Sequence, residues 1–266
     1  MPKAPKKPST TPVKAEKPKF PSEIVELPSK GLLYPEGHPL REGTIEIKYM
    51  TAREEDILTS ANLIQKGVVV DELLKSIIIT DVPYNDLLIG DKNAVMLSAR
   101  IFGYGKAYEC DVTCPNCSAV ETDCEFDLTA LDYKEIDDEA FSDGNKFSFV
   151  LPNSERTVEF KFLTQKEEYA ITKELDRVKK HMKGVSPEIT TRLRYQIVSI
   201  DGDDSIESIT NFINNELFAI DSRAFREQYA DIMPDVDFDV GYTCGDCGID
   251  SVIELPISVN FFWPSR

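Results

Sequence analysis

The residues of this chain best suited to chemistry are two Cys-x-x-Cys pairs, VTCPNCSAV at 112–120 and YTCGDCGID at 242–250. Two residues between the cysteines let a tight turn aim both sulfurs and several backbone amides at one point, the local form of a zinc knuckle. Two knuckles complete one tetrahedral shell, so Cys114, Cys117, Cys244 and Cys247 are the expected ligands of a structural Zn2+. A closed four-thiolate shell leaves no open coordination position, so such a metal holds chain together and does not activate water. Cys110 and Cys124 flank the first pair and keep two alternatives open. One is a local site of Cys110, Cys114, Cys117 and Cys124, which leaves the second pair empty. The other is a disulfide in each pair, a redox reading that lacks a thioredoxin-like βαβ context and a helix start at the motif.

The elements that must carry the two pairs occur twice. TIEIKYMTAREEDILT at 44–59 aligns with TVEFKFLTQKEEYAIT at 157–172 at a constant offset of 113, matching Thr44/Thr157, Glu46/Glu159, Lys48/Lys161, Thr51/Thr164 and Glu54/Glu167. Further on the offset is 130, matching Asp91/Asp221, Ala94/Ala224 and the two cysteine pairs, so the second copy holds a spacer longer by 17 residues. On that offset Cys110 falls on Val240 and Cys124 on Glu254, which favours the four-cysteine grouping across copies over the local one.

Each copy opens on an alternating strand, with Ile45, Ile47 and Tyr49 on one face in the first and Val158, Phe160 and Phe162 in the second. Thr51-x-x-Glu54 and Thr164-x-x-Glu167 then read as capping boxes, each starting a helix. In the second copy Ile171, Leu175, Val178 and Met182 form the stripe of a long helix stopped by Gly184. A second helix is read from Val70, Leu73, Leu74, Ile77 and Ile78, and from Ile189, Leu193 and Ile197 behind Ser186-Pro187. A third lies around 93–102 and 222–232, and the extra sequence at 201–217 forms a turn and a short helix. The fold class expected is α+β, internally duplicated as strand, helices and cysteine hairpin, with the copies joined by the four-cysteine zinc site.

Charge is unevenly placed. Residues 1–20 hold six lysines and one acid, a net of +5, so the other 246 residues carry −22 of the overall −17. A body that acidic repels phosphate backbones and disfavours nucleic acid as a partner. Val68 to Ile79 is broken by Asp71, Glu72 and Lys75 and is too short to span a bilayer, and the first 20 residues lack a signal-peptide apolar core, so an intracellular reducing compartment is expected. Only two histidines exist, His38 in a Pro/Gly loop and His181 near a helix end, and no phosphate-cradling loop, Gly-x-Ser-x-Gly elbow or His-Glu-x-x-His helix is present. A binding or structural role is therefore expected in place of catalysis, with no small-molecule substrate.

Two apolar segments read as partner contacts. LPSKGLLYP at 27–35 offers Leu32, Leu33 and Tyr34 on an extended arm, and the C-terminal NFFWPSR offers Phe261, Phe262 and Trp263. The plain alternative for the first is packing on the chain's own core, and for the second covering the second cysteine hairpin. The layout expected is a disordered basic tail at 1–20, an extended arm at 21–42, a first repeat at 43–130, an acidic linker and strand at 131–155, a second repeat at 156–256 and an aromatic tail at 257–266.

LPSKGLLYPEG at 27–37 followed by IKYMTAREEDILTS at 47–60 resembles the baseplate hub and hub-assembly proteins of T-even-like contractile-tailed bacteriophages. The similarity is best over roughly residues 22–110, and longer members of that family also carry Cys-x-x-Cys pairs. The resemblance implies a part in building or forming the baseplate hub, with other hub, wedge or tape-measure proteins as partners. It places the chain in the virion tail or, during assembly, in the host cytoplasm, and it supplies no catalytic residues. The rival readings are a non-viral zinc-ribbon adaptor and a nucleic-acid-binding zinc ribbon, the latter supported by the lysine tail alone.

Overall fold

Alternation of apolar and polar residues sets the first sheet. The computed structural model describes residues 21–181, 186–257 and 259–262. In it β1 (Ser22–Glu26) pairs antiparallel with β2 (Thr44–Lys48), burying Val25, Ile45 and Ile47. The arm drawn at 21–42 thus begins as a strand of this sheet. Between the strands the chain makes tight turns, where Gly31 at φ 76° passes so close to the Arg41 carbonyl that a Cβ would lie 2.4 Å from it.

Helices α1 (Ala52–Leu58), α2 (Ala61–Gln65), α3 (Val69–Ile77) and α4 (Ile89–Tyr104) follow. Leu73, Leu74 and Ile77 of α3 are fully buried, as their spacing requires. The chain then forms the hairpin β3 (Ala107–Thr113) and β4 (Val120–Asp127).

The second half is built around a three-stranded antiparallel sheet in the order β5 (Phe147–Val150), β6 (Thr157–Phe160), β7 (Ile197–Ile200). α5 (Gln165–His181) and α6 (Glu188–Gln196) lie between β6 and β7. α7 (Ile206–Asn211) runs into one π-helical turn at Phe212–Glu216, followed by α8 (Ala219–Ile232) and the hairpin β8 (Asp239–Thr243) and β9 (Asp250–Glu254). The molecule is a mixed α/β protein with small sheets. Its basic tail at 1–20, Met182, Gly184 and Trp263 lie outside the described residues.

Several local arrangements recur at equivalent places. Thr51 accepts from the backbone of its helix while Glu54 accepts from the Thr51 N–H at 2.9 Å, and the Thr164 N–H donates to Glu167 at 3.0 Å. Lys48 reaches Glu54 at 2.9 Å and Lys161 reaches Glu167 at 2.8 Å. β2 receives a single bridge from Ile78 to Ile47, where β6 pairs with Ile197 at Phe160.

Asp91, in the first turn of α4, accepts from the Ser29 N–H at 3.0 Å, the Ser29 hydroxyl at 2.7 Å and the Tyr34 hydroxyl at 2.7 Å. Asp221, in the first turn of α8, accepts from the Asn153 N–H at 2.8 Å and the Ser154 N–H at 3.1 Å. Both carboxylates are buried, and each pins the Leu-Pro turn that leaves the first strand of its half, Leu27-Pro28 or Leu151-Pro152.

Two readings of the sequence are corrected. Ile197 does not continue the stripe of α6: the backbone turns extended there, and Ile197 and Ile200 are buried in β7 while Ile189 stays 48% exposed. Branched side chains at 197, 198 and 200 pack on a pleated surface better than on a helix. The other concerns α4, which starts at Ile89, four residues before the expected 93. It has no side-chain cap, and its first N–H donates instead to the Leu163 carbonyl of the other half at 3.2 Å.

One hydrophobic core runs through both halves, from Val25 to Phe262. The halves also meet backbone to backbone, with Gln165 N–H donating to Leu87 O at 2.8 Å and Lys134 N–H to Asp235 O at 2.9 Å. Gly90 lies against this contact, where a Cβ would stand 1.8 Å from the Pro234 carbonyl.

Candidate metal centre

The two cysteine hairpins close in the same way. Cys114 N–H donates to Ala119 O at 2.8 Å and Ser118 N–H to Cys114 O at 3.0 Å; Cys244 N–H donates to Ile249 O at 3.2 Å and Gly248 N–H to Cys244 O at 2.8 Å. The last position of each turn is left-handed, Ser118 at φ 61° and Gly248 at φ 67°. Glycine takes that conformation freely and serine at some cost.

The hairpins face each other tip to tip. Asn116 Nδ2 donates to Ser251 Oγ at 2.7 Å, and the Gly245 N–H donates to Glu121 Oε1. A Cβ on Gly245 would meet that same oxygen at 2.5 Å, so a larger residue there would push the Glu121 side chain aside.

The sulfurs of Cys114, Cys117, Cys244 and Cys247 all lie within 4.8 Å of one another, a group that could hold a metal ion. Cys114 Sγ is 3.8 Å from Cys247 Sγ, and Cys117 Sγ is 3.7 Å from Cys244 Sγ. A regular tetrahedron of sulfurs with metal–sulfur bonds of about 2.3 Å has an edge of about 3.8 Å. A disulfide needs about 2.05 Å. The separations therefore fit ligation of one ion and do not fit sulfur–sulfur bonding across the hairpins. Cys114 and Cys244, the first of each pair, are buried, while Cys117 and Cys247 sit at the exposed turn.

Without a cation Cys244 ionises more readily than Cys117 and Cys247 beside it. The Cys247 backbone N–H, against the effect of burial, holds the Cys244 thiol down to about 6. The Ala119 N–H works the same way on Cys117, but hydrogen bonding with Cys114, burial and the other two thiols push it up to about 12. The Cys244 thiolate forms readily while Cys117 and Cys247 resist, the behaviour of sites that share charge at close range. A bound divalent cation removes that conflict, so the donor set suits a metal.

Cys110 and Cys124 stand apart from this group. They are opposite one another in the β3–β4 register, one step behind the tip, and burial pushes the Cys110 thiol up to about 11. They pack against a small second core of Val112, Cys114, Tyr242 and Cys244.

A family model described as T4 bacteriophage base plate protein matches residues 22–263. The chain belongs to that family. No curated protein and no solved structure matches it. The matched span of this base plate protein takes in both strand-and-helix segments and both cysteine pairs. Membership makes other phage tail proteins its expected partners and the virion tail its expected place, and the family is structural in character. Among the described residues no helix is long and apolar enough to cross a membrane.

The residues expected to contact partners are placed differently from the cysteines. Leu33 and Tyr34 are 5% exposed, Leu32 is half-buried, and Phe261 and Phe262 are 1% exposed. Leu33, Tyr34, Phe261 and Phe262 all pack in the main core of the base plate protein. The reason is polar as much as apolar: the Tyr34 hydroxyl both donates to Asp91 and accepts from the Leu88 N–H at 3.0 Å, which draws the arm inward. Phe261 is held by Arg100, which is 1% exposed and donates to three carbonyls, Phe261 at 2.7 Å, Gly105 at 2.7 Å and Ala107 at 2.8 Å. Sequence reading missed Arg100, because a lone arginine inside an apolar helix carries no spacing signal. It matched Asp91 to Asp221 without finding the turns they hold.

Proposed function

We propose that this base plate protein is a hub or hub-assembly component, made of two copies of one strand–helix–hairpin unit and joined at the hairpins by a structural Zn2+ on Cys114, Cys117, Cys244 and Cys247. The observation that carries the metal is the pair of cross-hairpin sulfur separations, 3.8 and 3.7 Å, which suit tetrahedral thiolates. Zinc, when bound, neutralises the thiolates and fixes the two tips against each other; this chain's residues supply the turns, the amide donors and the Glu121–Gly245 and Asn116–Ser251 links. The duplication draws support from the matched capping boxes, the Lys48–Glu54 and Lys161–Glu167 pairs, and the two buried aspartates that pin equivalent turns. Hub, wedge and tape-measure proteins are the partners this reading assigns, through protein–protein contacts and no catalysis.

Two measurements test it. Metal analysis of the purified chain gives one zinc per chain if the four cysteines ligate within one molecule, and none if the shell is empty. Quantitative mass spectrometry of purified particles finds a fixed small copy number for a hub component. Presence in infected-cell lysate and absence from particles makes it an assembly factor; absence from both removes the hub reading.

A further inference from the structure

The halves meet through a contact that uses one edge of each and leaves the matching edges free. Leu88 of the first half and Thr164 of the second form a single antiparallel bridge, in which Ile89 N–H donates to Leu163 O at 3.2 Å and Gln165 N–H to Leu87 O at 2.8 Å. The offsets of 130 and 113 give each side of this bridge a counterpart in the other half. Leu87, Leu88 and Ile89 correspond to Leu217, Phe218 and Ala219, and Leu163, Thr164 and Gln165 correspond to Met50, Thr51 and Ala52.

The counterparts share local form and differ in cover. Phe218 precedes α8 at φ −67° and ψ 150°, as Leu88 precedes α4 at φ −65° and ψ 150°, and neither helix start has a side-chain cap. Thr51 and Thr164 each donate their N–H to the glutamate three residues on. Yet Leu88 is 5% exposed, whereas Phe218 is 57% and Ile220 61% exposed. Ala52 and Ala219 are exposed too. Among the described residues, their N–H groups and the carbonyls of Met50 and Leu217 have no hydrogen-bond partner. These are the same two donors and two acceptors, by position, that the Leu88–Thr164 bridge satisfies. A contact between unlike edges, made once inside the chain, thus leaves one unused edge of each sort.

We propose that Leu217–Ile220 of one molecule docks on Met50–Ala52 of a second molecule of this chain, repeating between molecules the bridge that Leu88 and Thr164 form within one. This rests on the two halves being copies of one unit. In the repeated bridge Ala219 N–H donates to Met50 O and Ala52 N–H to Leu217 O, while Phe218 and Ile220 leave water. Ile220 stands where Gly90 clears the Pro234 carbonyl, so the repeated contact closes less tightly at that end and rests on the Phe218 bridge. Unlike edges join head to tail, so the molecules build a ring or a filament and not an isolated symmetric pair. A contact this small is weak for one pair and gains strength when several close together.

Sedimentation velocity of the purified full chain over a concentration series, with two variants, tests this. The parent is expected to form species that grow with concentration. Phe218→Asp puts a carboxylate into the apolar contact, yet aspartate at that position caps α8, so folding does not suffer. Ala52→Pro removes the donating N–H at the first position of α1, where proline fits the helix and follows an extended Thr51. Each variant weakens association by roughly tenfold or more at an unchanged unfolding midpoint. Mixed one to one, they recover a pair that grows no further, because one molecule keeps a sound Ala52 edge and the other a sound Phe218 edge. A parent that stays monomeric overturns the contact and leaves the duplication and the metal standing. Association lost with Phe218→Asp but kept with Ala52→Pro means that the edges are not equivalent, which overturns the proposal through the duplication. A mixture that stays monomeric overturns the head-to-tail pairing, as does association unchanged in both variants.

Discussion

Arg100 in α4 donates through Nε to the backbone carbonyl of Phe261, 161 residues later, at 2.7 Å. The same guanidinium holds Gly105 and Ala107 where α4 hands over to β3, and the Phe261 ring packs edge-on against Tyr108 at 5.1 Å. One side chain thus ties the end of the second half to the root of the first cysteine hairpin.

Removing that side chain leaves three carbonyls without their donor. Arg100→Met is expected to cost about 2–4 kcal/mol in denaturant unfolding, and Phe261→Ala about 3–5 kcal/mol. The double variant should fall short of the sum, since both changes release the same segment. Losses below about 1 kcal/mol for either would mean that the segment is not held as described.

The four-thiolate grouping predicts a clean split among the cysteines. Cys114→Ser and Cys247→Ser lose bound metal, whereas Cys110→Ser and Cys124→Ser retain it, because the last two lie behind the tip and outside the sulfur group. Metal content of the purified variants decides between this and a local site, which would give the opposite result for Cys124→Ser and Cys247→Ser.

Chelation should loosen the hairpins more than the body. The hairpin tips share only a small core, whereas the halves also meet through the main core and the Asn93–Asp235 hydrogen bond at 2.9 Å. Hydrogen exchange after metal removal is expected to rise across 107–127 and 239–254 while α4 and the β5–β6–β7 sheet keep their protection. Loss of protection throughout would make the metal the main link between the halves.

Glu54 gives a pH signature. Burial alone would raise its carboxyl, but hydrogen bonds from Ser76, Thr51 and Lys48 outweigh it and hold the group down to about 2 from an ordinary 4.5. A depressed folded-state value contributes stability that is present above the ordinary value and is lost as pH falls toward about 2. Glu54→Gln should therefore destabilise the protein by about 1–3 kcal/mol near neutrality and converge with the parent at the acid end. Stability measured between those limits checks it; parallel curves would show that Glu54 is not the titrating group.

The sequence by itself determined the local pieces. Capping boxes, the α3 stripe and the two turns that present cysteine pairs are all written in residue types and spacings within a short stretch of chain. The repeat offset of 113 passing to 130 even indicated which sulfurs come together. Tertiary structure decided what depends on distant partners. Ile197 leaves helix for strand because β6 offers it a pairing edge, and α4 starts early because Leu163 accepts its first N–H. Leu33, Tyr34 and Phe261 turn inward because Asp91 and Arg100, far along the chain, satisfy the polar groups that accompany them. Apolar residues in an arm look alike whether they meet a partner or their own core; the buried donor or acceptor waiting for them is what separates the two, and it becomes visible only in three dimensions.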